Sequence, residues 1–203
     1  MNLKLFTALL FLAISDFGLS QTTVKMTNEY GFKNIDLQGL IDFENIFLEK
    51  LIFEGENIEG MSYVIEVVEY KNGKELTRNI LFDGTELDYF KVASEKEMLS
   101  FYFKLSDRKL KIQMRGKNFG SKKLYFDLDD NAEKYALKDF FGSNPELNMP
   151  IKGKNAVLAL ITPNMHENGS ASYCEVAQSN IRPEKLGSHF NIPHYFIITV
   201  DFK

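Results

Sequence analysis

The chain has 203 residues, with 24 Lys and Arg against 28 Asp and Glu, a single Cys and no Trp. Apolar residues at 44% and charged residues at 26% are ordinary globular values, which excludes a largely disordered, collagen-like or disulfide-dense chain. A net charge of −4 excludes no partner by itself, although a pI near 5.5 makes nucleic acid the least favoured one.

Residues 1–20 read as an export signal. Met1 to Lys4 supplies a positive start and Leu5 to Ile14 is an uncharged apolar run. Small Gly18 and Ser20 then stand three residues and one residue before the expected cleavage at Gln21. The run is shorter than the ~20 apolar residues of a membrane span, and no later segment is longer. No Cys lies near the cleavage site, so no lipid anchor is expected, and Cys174 alone can form no internal disulfide. The expectation is a soluble, secreted or periplasmic domain over 21–203. No linker, repeat or low-complexity tract divides it, and its size allows burial of about 70% of the unfolded surface.

Along this domain the hydrophobic period is mainly two. Phe47–Glu54 reads as a strand. Met61–Tyr70 and Lys74–Phe82 flank Asn72-Gly73, a dipeptide that accepts the positive φ values of a tight hairpin turn. Leu99, Phe101, Phe103 and Leu105 alternate with polar residues, as do Leu110, Ile112 and Met114, and then Leu124, Phe126 and Leu128. Short turns at Asp107-Arg108 and Gly116–Gly120 join these runs into a three-stranded antiparallel meander. Asp130-Asn131-Ala132-Glu133 resembles a capping box ahead of Ala136, Leu137, Phe140 and Phe141, which predicts a short helix over 131–141 ending at Gly142. Ala156–Thr162 reads as a strand buried on both faces, Ser172–Ala177 as a weaker strand, and Tyr195–Phe202 as a closing strand. The fold class expected is all-β, an antiparallel sandwich of about nine strands with that one helix.

Charge is unevenly distributed. Residues 104–123 carry Lys104, Arg108, Lys109, Lys111, Arg115, Lys117, Lys122 and Lys123 against Asp107, whereas 42–69 carry eight acidic residues against Lys50. Because a one-residue slip would invert every side chain, the apolar faces of the meander fix its parity. An even-length turn pairs Phe103 with Ile112, Lys104 with Lys111 and Tyr102 with Gln113. The third strand is expected to place Tyr125 beside Gln113, Asp127 beside Lys111 and Lys123 beside Arg115. The outer face would then show a Tyr102–Gln113–Tyr125 row flanked by Lys104, Lys111, Arg115 and Lys123. These seven residues are the candidate binding set, suited to stacking on sugar rings and to an acidic polysaccharide or protein partner. Absent Trp weakens the stacking argument. The plainer account is that the acidic 42–69 segment lies alongside and neutralises this face, or that its charges are simply solvated, since surface ion pairs are commonplace and worth little.

His166, Cys174, His189 and His194 cluster near the C-terminus, but their spacing matches neither a thiolate nucleophile nor a zinc site, and Cys174 reads as a small buried strand residue. The 178–193 connection is long enough to be a functional loop. Asp127, Asp129 and Asn131 begin like a calcium loop but lack its Gly and closing Glu. Asn168-Gly169-Ser170 is a glycosylation triplet, and Gly116–Gly120 lacks the phosphate-loop pattern. No catalytic, metal or cofactor signature is present. The expectation is an exported binding protein of the cell envelope. The alternatives are a hydrolase whose pocket forms only in the fold and a subunit of an envelope assembly.

Overall fold

The computed structural model describes residues 22–165, 171–173, 176 and 181–203. The expected leader, His166, Asn168-Gly169-Ser170 and Cys174 lie outside the described residues. In chain order the strands are β1 (Thr23–Tyr30), β2 (Ile46–Glu54), β3 (Tyr63–Lys71), β4 (Lys74–Asp83), β5 (Lys96–Ser106), β6 (Lys109–Arg115), β7 (Leu124–Asp127), β8 (Ala136–Asp139), β9 (Leu147–Pro150), β10 (Asn155–Ile161), β11 (Asn164–Met165), β12 (Ala171–Ser172) and β13 (His194–Phe202). Helix α1 spans Ile35–Phe43 and α2 spans Leu186–Phe190.

The molecule is an all-β sandwich. One sheet runs β7-β6-β5-β2-β1-β9 and the other β4-β3-β13-β10-β8, with antiparallel pairing throughout. The alternation read in the sequence decides which side chains meet. Phe53, Leu99, Phe101, Phe103, Ile112 and Met114 point inward from the first sheet. Tyr63, Ile65, Val67, Leu158, Leu160, Phe196 and Ile198 answer them from the second, all but fully buried. Phe53 meets Phe202 edge-on at 5.6 Å and Phe126 meets Phe196 at 5.1 Å. The Asn72-Gly73 hairpin forms as expected, with φ of +50° and +73° joining Lys71 to its partner Lys74.

The long C-terminal connection is not structureless: Pro183–Lys185 forms a 3-10 turn and α2 follows. The cause is an apolar outer face on the second sheet. Val68, Tyr70, Ala159, Ile161, Tyr195 and Ile197 are covered there by Val176, Leu186, Phe190 and Ile192. Both β10 and β13 are therefore buried on both sides, as expected for β10. The strand expected over 172–177 is limited to Ser172 among the described residues, paired through β12 with β11.

The helix expected over 131–141 does not form. Asn131 caps a single 3-10 turn, Ala132–Lys134, and Tyr135 turns extended at φ −96° and ψ 136°. Ala136–Asp139 then becomes β8, pairing with β10 from Ala136↔Ile161 to Leu158↔Asp139. Tertiary pairing wins because β10 would otherwise end the sheet with a row of unpaired backbone groups. The apolar spacing also fits a strand, with Leu137 against the core between the sheets and Phe140 against the outer cluster.

Candidate functional site

Tyr102 and Lys104 on β5, Lys111, Gln113 and Arg115 on β6 and Tyr125 on β7 share one outer face, whereas Lys123 lies in the connection that precedes β7. Across β5 and β6 the register is as expected, with Tyr102↔Gln113, Phe103↔Ile112 and Lys104↔Lys111. Asp107 and Arg108 make the two-residue turn with φ of +49° and +59°. Across β6 and β7 the expected register is wrong by two residues. Tyr125 lies beside Lys111, and Asp127 beside Lys109, to which it is ion-paired. The tight closure at Arg115↔Gly120, with Ser121 N–H donating to Met114 O at 2.9 Å, shortens the connection and pulls the third strand back. A shift of two residues preserves the inward parity, so composition could not reveal it. The expected Tyr102–Gln113–Tyr125 row is thus replaced by Lys104–Lys111–Tyr125, while Arg115 lies beside Gly120 rather than Lys123.

The acidic 42–69 segment does not neutralise this face. β2 does pair with β5, but Glu49 points between the sheets and Glu54 bonds Lys25 and Lys96 at the far end. Glu66 and Glu69 belong to the second sheet, where Glu66 holds Arg78 and Lys154. Glu44 alone reaches the face, 2.7 Å from Lys104, and the lysine holds its carboxyl below the usual range. Lys109 is engaged by Asp127, and the Arg108 guanidinium donates to the carbonyls of Leu128 and Asp129. Lys111, Arg115, Lys117, Lys122 and Lys123 have no carboxylate partner among the described residues. A shallow depression of about 320 Å³ between Lys104, Lys111 and Tyr125 lies in this cationic field, and the Tyr125 ring is 66% exposed.

Helix α1 borders the same face. Asn34 caps it by accepting from Leu37 N–H at 3.0 Å, and Ile41 faces the sheet, where Leu48 on β2 is fully buried. The opposite side is apolar too. Ile35 and Phe43 are each 83% exposed and Leu40 is 58% exposed.

A second locus, which the sequence did not reveal, lies at one end of the sandwich. The β10–β13 register continues from Ile161↔Tyr195, bringing Thr162 opposite His194, and the β8–β10 register brings Tyr135 opposite Thr162. These three side chains line one end of the sandwich around a cavity of about 510 Å³ walled also by Asp129, Asp130, Lys134, Pro163 and Pro193. His194 is buried. Its Nδ1 lies 2.6 Å from Tyr135 Oη and 3.5 Å from the Asp129 N–H, and its Nε2 lies 3.1 Å from Glu69 Oε1. Burial pushes the Tyr135 phenol up to about 12, so it stays protonated and donates to Nδ1. The imidazole then carries its proton on Nε2, facing the Glu69 carboxylate, whose other oxygen accepts from Thr77 at 2.9 Å. The hydrogen bonds from Lys71 and Lys134 hold Asp129 and Asp130 below the ordinary carboxylate range.

Glu69 and His194 are 125 residues apart in sequence, so only strand pairing unites them. His189, by contrast, is exposed on α2 with its ring against Phe190. Among the described residues no group of three His, Cys, Asp or Glu side chains is placed to hold a metal ion. No helix among them is long and apolar enough to cross a membrane. No protein-family model, curated protein or solved structure matches this chain.

Proposed function

We propose that the protein is an exported binding protein of the cell envelope that engages an acidic glycan through the outer face of β5, β6 and β7. The observation that carries this reading is that Lys111 and Arg115 on β6, and Lys117, Lys122 and Lys123 in the adjoining β6–β7 connection, have no carboxylate partner among the described residues, although an acidic segment is paired alongside. Unpaired, solvent-facing cations attract a polyanion over roughly a Debye length, about 10 Å at 0.1 M salt. The exposed Tyr125 ring beside Lys111 offers a stacking surface for a sugar.

The end cavity is not part of this reading. Its tyrosine is held protonated, its two carboxylates are held ionised, and both nitrogens of His194 are engaged.

The test is a thermal shift with polygalacturonate at low and high salt, for the wild type and for Lys111→Glu with Arg115→Glu. A ligand that binds the native state raises the melting temperature by mass action. A shift that disappears in high salt and in the double variant is the expected result. An equal shift in wild type and variant places the binding elsewhere, and a shift with an acidic protein alone replaces the glycan as partner.

A second reading, a subunit of an envelope assembly, is favoured by the exposed Ile35, Leu40 and Phe43 ridge on α1. It expects self-association on sizing chromatography that Phe43→Ser abolishes; a monomer at every concentration removes it.

A further inference from the structure

Helix α1 and strand β6 carry opposite charge on the same side of the molecule. No Lys, Arg or His occurs between Ile35 and Glu44, whereas Asp36 and Asp42 are both exposed. At about 100° per residue, Asp36 falls inside the stripe of Ile35, Phe43 and Leu40, and Asp42 falls beside Ile35. The Asp42 carboxylate accepts from Gln38 Nε2 at 2.7 Å, and neither aspartate has a cationic partner among the described residues. On β6, Lys111 and Arg115 lack carboxylate partners in the same way. Glu44, at the C-terminal end of α1, already pairs with Lys104 of its own chain. The pairing of α1 acids with sheet cations thus occurs once within the chain and is left incomplete.

The chain cannot complete it alone. Ile35 and Phe43 are each 83% exposed because Ile41, on the other side of α1, is the residue that faces β2. A second helix packed beside α1 would stand about 8–10 Å away. Strands are about 4.8 Å apart, so two places along the sheet are about 10 Å. The strand two places from β2 is β6. A twofold axis running along β5 therefore sets each α1 over the other copy's β6, with both helices in one layer between two sheets. Such an interface is self-complementary, since each copy gives one ridge and receives one, and it closes. The extents also agree. Ile35 to Phe43 covers about 12 Å of helix and Lys111 to Arg115 about 13 Å of strand. The exposed Tyr125 ring beside Lys111 adds apolar surface for the ridge.

We infer that the protein forms a twofold dimer in which the Ile35, Leu40 and Phe43 ridge of α1 docks on the outer face of β6 and β7 of a second copy, with Asp36 and Asp42 meeting Lys111 and Arg115 of that copy. This dimer rests on the self-association reading of the ridge and adds the surface that receives it. The same two cations serve the proposed glycan, so a second copy and a polyanion exclude one another.

Sedimentation equilibrium of the purified protein tests it, with four forms compared: wild type, Lys111→Glu with Arg115→Glu, Asp36→Lys with Asp42→Lys, and all four substitutions combined. The wild type should show a monomer–dimer equilibrium. Either double variant should weaken the dimer at least about tenfold, through like charges brought face to face. The combined variant, whose net charge equals that of the wild type, should recover it. Far-UV circular dichroism verifies that each variant is folded. Three results overturn the dimer. A monomer at every concentration removes the self-association reading as well. A dimer that Phe43→Ser abolishes but neither double variant weakens leaves that reading standing through another surface. A folded combined variant that stays monomeric removes the charge pairing that defines this interface.

Discussion

Glu49 lies between the sheets at 4% exposure, where Asn28 Nδ2 donates to its Oε1 at 2.7 Å and to Asp139 Oδ2 at 3.3 Å. Burial pushes its carboxyl up from 4.5 to about 7, and nearby Asp139 adds to the rise while the Asn28 hydrogen bond opposes it. A carboxyl with a raised folded pKa binds more protons in the native than in the unfolded state. Its contribution is therefore most favourable below the unfolded value and is lost as pH rises from about 4.5 to about 7. We expect Glu49→Gln, which keeps the shape and an oxygen for Asn28, to be about 1–3 kcal/mol more stable than wild type at about pH 8, with the gain vanishing near about pH 4. Urea melts across that range measure it; a pH-independent difference would refute the assignment. The second buried ionisable network answers to a different change. Tyr135→Phe leaves His194 Nδ1 with only the long Asp129 N–H and should cost about 1–3 kcal/mol in the same assay.

At the scale of elements, two competitions between local preference and tertiary pairing decide the architecture. Asn131 and Glu133 start a turn, but β10 offers a whole strand edge, and residues 136–139 complete it. The face assignment is testable: Leu137→Ala, whose side chain packs on the core, should cost about 2 kcal/mol or more, whereas outward Lys138→Ala should change stability by less than about 0.5 kcal/mol. Helix α1 shows the reverse case. Asn34 at its N-cap and Asp36 in its first turn are local start signals for a helix lying outside the main periodicity. Asn34→Ala should weaken α1 by about 1 kcal/mol, seen as faster amide exchange over 35–43 with little change in β5.

For the whole molecule, the placement of charge matters more than its sum. A near-balanced chain directs its acidic segment between the sheets, to the far end of β2 and onto the second sheet, leaving Lys111 and Arg115 on the outer face of β6 and Lys117, Lys122 and Lys123 in the β6–β7 connection without carboxylate partners among the described residues. The apolar ridge of α1 borders that face, and the neutral-rimmed cavity lies at one end of the sandwich. Three surfaces of different chemistry thus sit on one scaffold: a cationic sheet face, an apolar helix ridge and an end cavity.

Period-two alternation was sufficient to identify the meander, both tight hairpins and the sandwich class, because a strand's inward parity follows directly from which residues avoid water. The cationic composition of 104–123 was equally legible. Strand register across the β6–β7 connection was not, because moving by two residues leaves parity unchanged and only the closure at Arg115↔Gly120 selects one alternative. The fate of 131–141 was not legible either, since its apolar spacing satisfies a helix and a strand alike and the free edge of β10 decides between them. The row of Tyr135, Thr162 and His194, and the bond from His194 to Glu69, arise where separate strands pair. Local sequence determined which faces are apolar and which are charged. Tertiary structure decided which of those faces meet, because strand pairing brings together residues that no local pattern connects.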